Sequence, residues 1–118
     1  MDDSRPLFLQ IAEQIESDII DGITPEESQV PSTNELAAFY RINPATAGKG
    51  VNVLVDNGTL YKKRGIGMFV STGAREKLLD NRRERFSREF IEPLLAEASK
   101  LGISPLQLSD MIKKGADA

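Results

Sequence analysis

PSTNELAAFYRINPATAGKGVNVLVDNGTLYKKRGIGMFV, residues 31–70, holds two short helical patterns, a tight polar break between them, and two β-prone runs. Ser32 is followed three residues later by Glu35, the spacing at which each side chain satisfies the other residue's backbone amide. A helix is therefore expected from Thr33 to about Tyr40, with Leu36, Ala37 and Tyr40 toward the core. Arg41-Ile42-Asn43 breaks it, and Asn43-Pro44 puts a capping side chain directly before a proline at the first helical position. The second helix should run from Pro44 to about Asn57, ended by Gly58. Its apolar stripe of Ala47, Val51, Leu54 and Val55 leaves Asn43, Ala45, Thr46, Lys49 and Asn52 on the other side or at the N-terminal tip.

Beyond Gly58, Thr59–Lys63 and Met68–Ser71 have strand composition, and Arg64-Gly65-Ile66-Gly67 between them carries two glycines able to adopt positive φ. Leu60 and Phe69 are suited to the core. Lys62, Lys63 and Arg64 lie at the tip, and strand alternation lets at most two of the three share one surface. A helix-turn-helix followed by a basic hairpin is the layout of a winged helix, whose usual partner is duplex DNA.

Upstream, Leu7, Phe8, Ile11, Ile15 and Ile19 recur at helical spacing between Pro6 and Gly22, which predicts an amphipathic helix from about Pro6 to Asp21. Its acidic face of Glu13, Glu16, Asp18 and Asp21 would repel phosphates and should point to solvent. Ile23–Val30 reads as a turn-rich linker ending in a short extended piece at Gln29-Val30-Pro31. Downstream of Gly73, the chain turns into a long helical pattern in which Phe86, Phe90, Ile91, Leu94, Leu95, Ala98 and Leu101 form a wide apolar stripe. Such stripes are usually core or dimer seam, and so short a tail cannot easily both wrap a cavity and form an interface, so a homodimer seam is expected. Pro93 inside that stripe predicts a kink or a break near Ile91-Glu92. Ser104 and Gln107 repeat the capping-box spacing, predicting a last helix to about Lys114 that buries Leu108, Met111 and Ile112.

The expected fold class is thus mainly α with a small antiparallel sheet: a winged helix-turn-helix over 1–72 and a short α-helical dimerisation region over 73–118. A net charge of −3 looks wrong for a DNA binder until it is divided. Residues 1–32 carry −7, residues 33–72 carry +3 and residues 73–118 carry +1. Charges farther apart than about 8 Å are largely screened at physiological salt, so the local basic patch outweighs the total. The 118 residues include no cysteine and no histidine. The commonest general base and the commonest metal ligands are missing, which argues against an enzyme, and no metal or cofactor is expected. Apolar runs are short and the N-terminus is acidic, so no membrane span or signal peptide is expected and the cytoplasm is the default compartment. A second class consistent with the acidic total is a winged helix used for protein interaction.

At these residues the chain resembles the GntR family of bacterial transcription regulators. The resemblance is carried by Pro6-Leu7-Phe8 with Gln10-Ile11, Gly22, Pro31-Ser32 with Glu35-Leu36-Ala37, Asn43-Pro44-Ala45-Thr46, Leu54 with Gly58, and Arg64–Val70. The Asn-Pro opening and the short tail look like the YtrA subfamily, whose members carry a small helical dimerisation unit. The resemblance implies a homodimeric repressor on a pseudo-palindromic operator. It implies DNA contacts from Ser32, Thr33, Asn34, Asn43, Pro44, Ala45, Thr46, Lys49, Lys62, Arg64, Gly65, Ile66 and Gly67. A small-molecule effector at the dimer seam or between head and tail is compatible with it. The family usually has Arg in the slot of Asn34 and often has one in the slot of Gly48, so operator specificity does not carry over.

Overall fold

The computed structural model describes residues 4–117, and the chain divides into two compact units, the first ending at Leu79 and the second beginning at Asp80. Six α-helices and one hairpin are present among the described residues: α1 (Leu7–Ile20), α2 (Thr33–Tyr40), α3 (Pro44–Asp56), β1 (Leu60–Lys63), β2 (Gly67–Val70), α4 (Ala74–Phe86), α5 (Glu92–Lys100) and α6 (Pro105–Ala116). A π-turn, Ser87–Ile91, joins α4 to α5.

In the first unit Ile11, Ile15 and Ile19 of α1 bury against Leu36 and Ala37 of α2, Ala47, Val51 and Leu54 of α3, and Leu60 and Val70 of the hairpin. The packing of α1 on α3 depends on Gly50. A Cβ there would stand 2.6 Å from the Phe8 carbonyl oxygen and 3.2 Å from the Ile11 Cβ, so only glycine lets the two helices come this close. Both predicted caps form. Ser32 Oγ accepts from the Glu35 amide while the Ser32 amide donates to Glu35 Oε1, each at 3.1 Å. Asn43 Oδ1 accepts from the Ala45 amide at 2.8 Å. Arg41, at φ 56°, makes the left-handed turn between α2 and α3.

β1 and β2 pair antiparallel, with Leu60 opposite Val70 and Tyr61 opposite Phe69. Alternation then sends Leu60 and Val70 into the core and turns Phe69 to the outer face, so Phe69 is half-buried rather than a core residue. There it stacks on Tyr61, with ring centroids 6.0 Å apart. The expected extended end of the linker forms an isolated antiparallel bridge, Gln29 opposite Phe69, beside the two-stranded sheet. Glu27 and Val30 donate to the carbonyls of Val70 and Met68, and Val70 donates to Ser28, covering the edge of β2.

The first turn of α4 belongs to this unit because Ala74 and Leu78 complete its core. Arg75 Nε donates to the Ile20 carbonyl at 2.9 Å and Lys77 Nζ to the Asn57 carbonyl at 3.1 Å. These cations sit at the C-terminal ends of α1 and α3, where helix dipoles favour positive charge.

In the second unit Pro93 neither breaks the helix nor acts alone. Its missing amide and its ring are incompatible with a normal bond to the Glu89 carbonyl, and the backbone widens just before it: the Glu92 amide bonds back to the Ser87 carbonyl. The chain stays helical through this π-turn, a usual site of helix bending. α6 starts on the Ser104/Gln107 capping box. Leu108 is buried, whereas Met111 and Ile112 are each 55% exposed. Among the described residues of this unit Ala98 and Leu108 are the buried ones, so the face of α6 that carries Met111 and Ile112 is left uncovered within one chain.

Candidate nucleic-acid interface

The helix-turn-helix presents two capped N-termini. Ser32, Thr33 and Asn34 open α2, and Asn43, Pro44, Ala45 and Thr46 open α3. The two helices touch near these ends, where a Cβ on Gly48 would lie 3.5 Å from Thr33 Cγ2, an ordinary contact. Capping engages Asn43 Oδ1 only, so the amide nitrogen of the same side chain is the part able to donate to a phosphate or base edge. With Ala47, Gly50, Val51 and Leu54 buried, the helical period leaves Ala45, Lys49 and Asn52 as the exposed stripe of α3. Thr46 falls on the flank of that stripe and is half-buried, which distinguishes it from its exposed neighbours.

Lys49 is exposed, with its ammonium 4.1 Å from the centroid of the Phe8 ring. A cation held over an aromatic face at the surface gains about 0.5–1 kcal/mol. This positions the charge beside the start of α1 and keeps it on the solvent side of α3.

In the hairpin, Lys62 and Lys63 project to opposite faces. Lys62 shares the face of its cross-strand partner Met68, while Lys63 Nζ lies 4.3 Å from the Phe69 ring centroid. Arg64, Gly65 and Ile66 form the exposed tip. Gly65 adopts φ +77° in a turn closed by the Ile66 amide on the Lys63 carbonyl at 2.9 Å.

Several residues that support the site have no local sequence signal. Gln29 Nε2 donates to the Ile66 carbonyl at 3.0 Å and fastens the wing tip to the segment that bridges to β2. Gly67, at φ +147°, leaves the room: a Cβ there would sit 2.5 Å from the Gln29 amide nitrogen. Glu27, itself at φ 66°, accepts from the Thr72 hydroxyl at 2.5 Å and from the Tyr61 hydroxyl. The Thr72 bond first, then the Tyr61 bond, hold its carboxyl below the ordinary range. Glu26 accepts from the Gly73 amide. Adjacent acids thus clamp the base of the wing to the entry of α4. The extended character of Gln29-Val30 was legible, but its partner lies 37 residues away.

In the second unit Phe86, Phe90, Leu94, Leu95 and Leu101 are exposed, Phe90 by 60%. The Phe86 and Phe90 rings lie 5.6 Å apart, and Ile91 is half-buried. Ala98 is only 6% exposed. It is the member of the predicted apolar stripe that is covered within its own chain.

Residues 7–70 match the family described as bacterial regulatory proteins, gntR family. The chain is 28% identical to the HTH-type transcriptional repressor YtrA of Bacillus subtilis, over 94% of this chain and 85% of YtrA. A GntR family transcriptional regulator from Listeria monocytogenes has the same fold, with a TM-score of 0.80 at 28% identity over 97% of this chain and 98% of that one. The DNA-binding domain of AraR, solved in complex with operator ORX1, is 33% identical with a TM-score of 0.55, over 57% of this chain and 81% of that one. No helix among the described residues is long and apolar enough to cross a membrane. Winged helix, motif order and full-length similarity to a small repressor converge: the chain belongs to the GntR family of bacterial transcription regulators, which act on DNA rather than as enzymes.

Proposed function

We propose that the protein is a repressor that binds a pseudo-palindromic operator as a homodimer, with residues 1–72 reading DNA and residues 73–118 joining the subunits. The observation that carries the DNA side is the exposed stripe of α3. Ala45, Lys49 and Asn52 are small, cationic and amide-bearing, and all three are exposed on one helix. The helix enters the major groove with these side chains. The capped ends at Ser32–Asn34 and Asn43–Thr46 meet phosphates, and Lys62, Arg64 and the Gly65-Ile66-Gly67 tip approach the neighbouring backbone. The repressor named YtrA and the operator-bound AraR domain support this reading.

The homodimer is supported by the exposed Phe86, Phe90, Leu94, Leu95 and Leu101. A helical unit of about 40 residues that buries so little of its own apolar surface needs a second copy to be stable. Genomic selection of bound duplexes, followed by affinity against salt, tests the proposal. With about two or three phosphates neutralised per subunit, log affinity should fall against log salt with a slope near about −4 to −5. Lys49→Ala and Arg64→Ala should each weaken binding and flatten the slope. A slope near zero, or unchanged binding in both variants, would refute the interface.

A further inference from the structure

We propose that the first unit carries a binding site for a small organic monocation with an aromatic or apolar body, in the cleft between α1, α2 and residues 24–31. The cavity there measures about 340 Å³, at the lower end of the range for small-molecule sites. Its floor is apolar, made by the buried side chains of Ile15, Val30 and Leu36. One wall is aromatic. Phe39 is 79% exposed, and its ring meets that of Tyr40 edge to face, with centroids 4.9 Å apart. The charge in the lining is of one sign: Asp18 and Glu35 contribute carboxylates, and no lysine or arginine lines the cavity. Burial first, then the Asp18 carboxylate, push the Tyr40 hydroxyl pKa upward, as expected of a cleft hostile to further negative charge. An apolar floor, an aromatic wall and two acids select an amphiphilic cation, because an ammonium group gains from ring faces and carboxylates together while its body covers the floor.

Phe39 has no part in the core, and the cleft includes none of the DNA-facing residues assigned above, although its lining residues Pro31 and Glu35 flank Ser32–Asn34. Glu35 links them: its carboxylate accepts from the Ser32 amide through Oε1, so an ammonium drawn to the same carboxylate shares it with the α2 cap. The regulatory consequence, loosening of the end of α2 that meets phosphate, rests on the operator-binding reading; the binding site does not.

Titration of the full chain with phenethylammonium, phenethyl alcohol and phenylacetate, followed by amide magnetic resonance, tests the site without DNA. Shifts should fall on residues lining the cleft and on Ser32 and Glu35. The cation should bind about fivefold more tightly than the alcohol, with the anion weakest. Asp18→Asn and Glu35→Gln should each reduce the preference for the cation over the alcohol, the latter retaining a side chain that can still cap Ser32. Phe39→Ala should weaken both ligands. Equal affinity for the three probes, shifts centred elsewhere, or an undiminished cation preference in both charge variants would overturn the proposal.

Discussion

Two glycines two residues apart in α3 should respond to alanine with opposite sign. Each costs the helix about 1 kcal/mol relative to alanine when only propensity counts. At Gly48 little else counts, since the new methyl would lie 3.5 Å from Thr33 Cγ2, and Gly48→Ala should stabilise by about 0.5–1 kcal/mol. At Gly50 the same methyl would stand 2.6 Å from the Phe8 carbonyl oxygen, with Ile11 Cβ at 3.2 Å. Neither neighbour is the end of a flexible side chain, so α1 has to move away from α3 by several tenths of an ångström along the main seam of the core. Overpacking of this kind costs about 1–3 kcal/mol. Set against the regained propensity of about 1 kcal/mol, Gly50→Ala should destabilise by up to about 2 kcal/mol. For a domain of this size each kcal/mol shifts the thermal midpoint by about 4–8 °C. Unfolding followed by circular dichroism, at one fixed protein concentration because the proposed dimer would make the midpoint concentration-dependent, should therefore place the two variants on either side of the parent. A Gly50→Ala protein as stable as the parent, or a Gly48→Ala protein that falls with it, would show that helix approach is not what Gly50 serves.

Phe90→Glu puts a charge into the exposed tail stripe and should shift sedimentation toward the single-chain mass of 13.0 kDa. A dimer of undiminished affinity would place the seam elsewhere. Gln29→Ala removes the bond to the Ile66 carbonyl and should cost about 1 kcal/mol of operator affinity, about fivefold, with little change in thermal midpoint. Equal affinity would show that the wing tip needs no fastening. Glu27 and Glu35 both have carboxyls held below their ordinary pKa, Glu27 first by the Thr72 hydroxyl and Glu35 first by the Ser32 amide. Their folded-state pKa values lie below the unfolded ones. Their contribution to stability is thus full above the ordinary glutamate pKa of about 4.3 and is lost as pH falls through the lowered values. In acid titrations, Glu27→Gln and Glu35→Gln should each flatten the fall in stability; unchanged slopes in both would sink this assignment.

Local chemistry alone determined the helices and the hairpin of the reading head. The Ser32/Glu35 box, the Asn43-Pro44 start and the Gly65 turn each act within four residues, where short-range hydrogen bonding and φ preferences dominate. The apolar periodicities of α1, α2 and α3 likewise mark most of the core. Tertiary structure decided what depends on a partner distant in the chain. Register turned Phe69 outward opposite Tyr61, and backbone bonds from residues 27–30 tied the linker to β2. Gln29 and Glu27 became fasteners of the wing, and Gly50 became a packing requirement through the approach of α1. Pro93 was visible as a disturbance, but its accommodation by a π-turn depends on backbone geometry that no residue type encodes. Met111 and Ile112 show the remaining boundary. Their periodicity marks a face that must be covered, and in a single chain it stays exposed, because periodicity names the buried side of a helix without naming the surface that buries it.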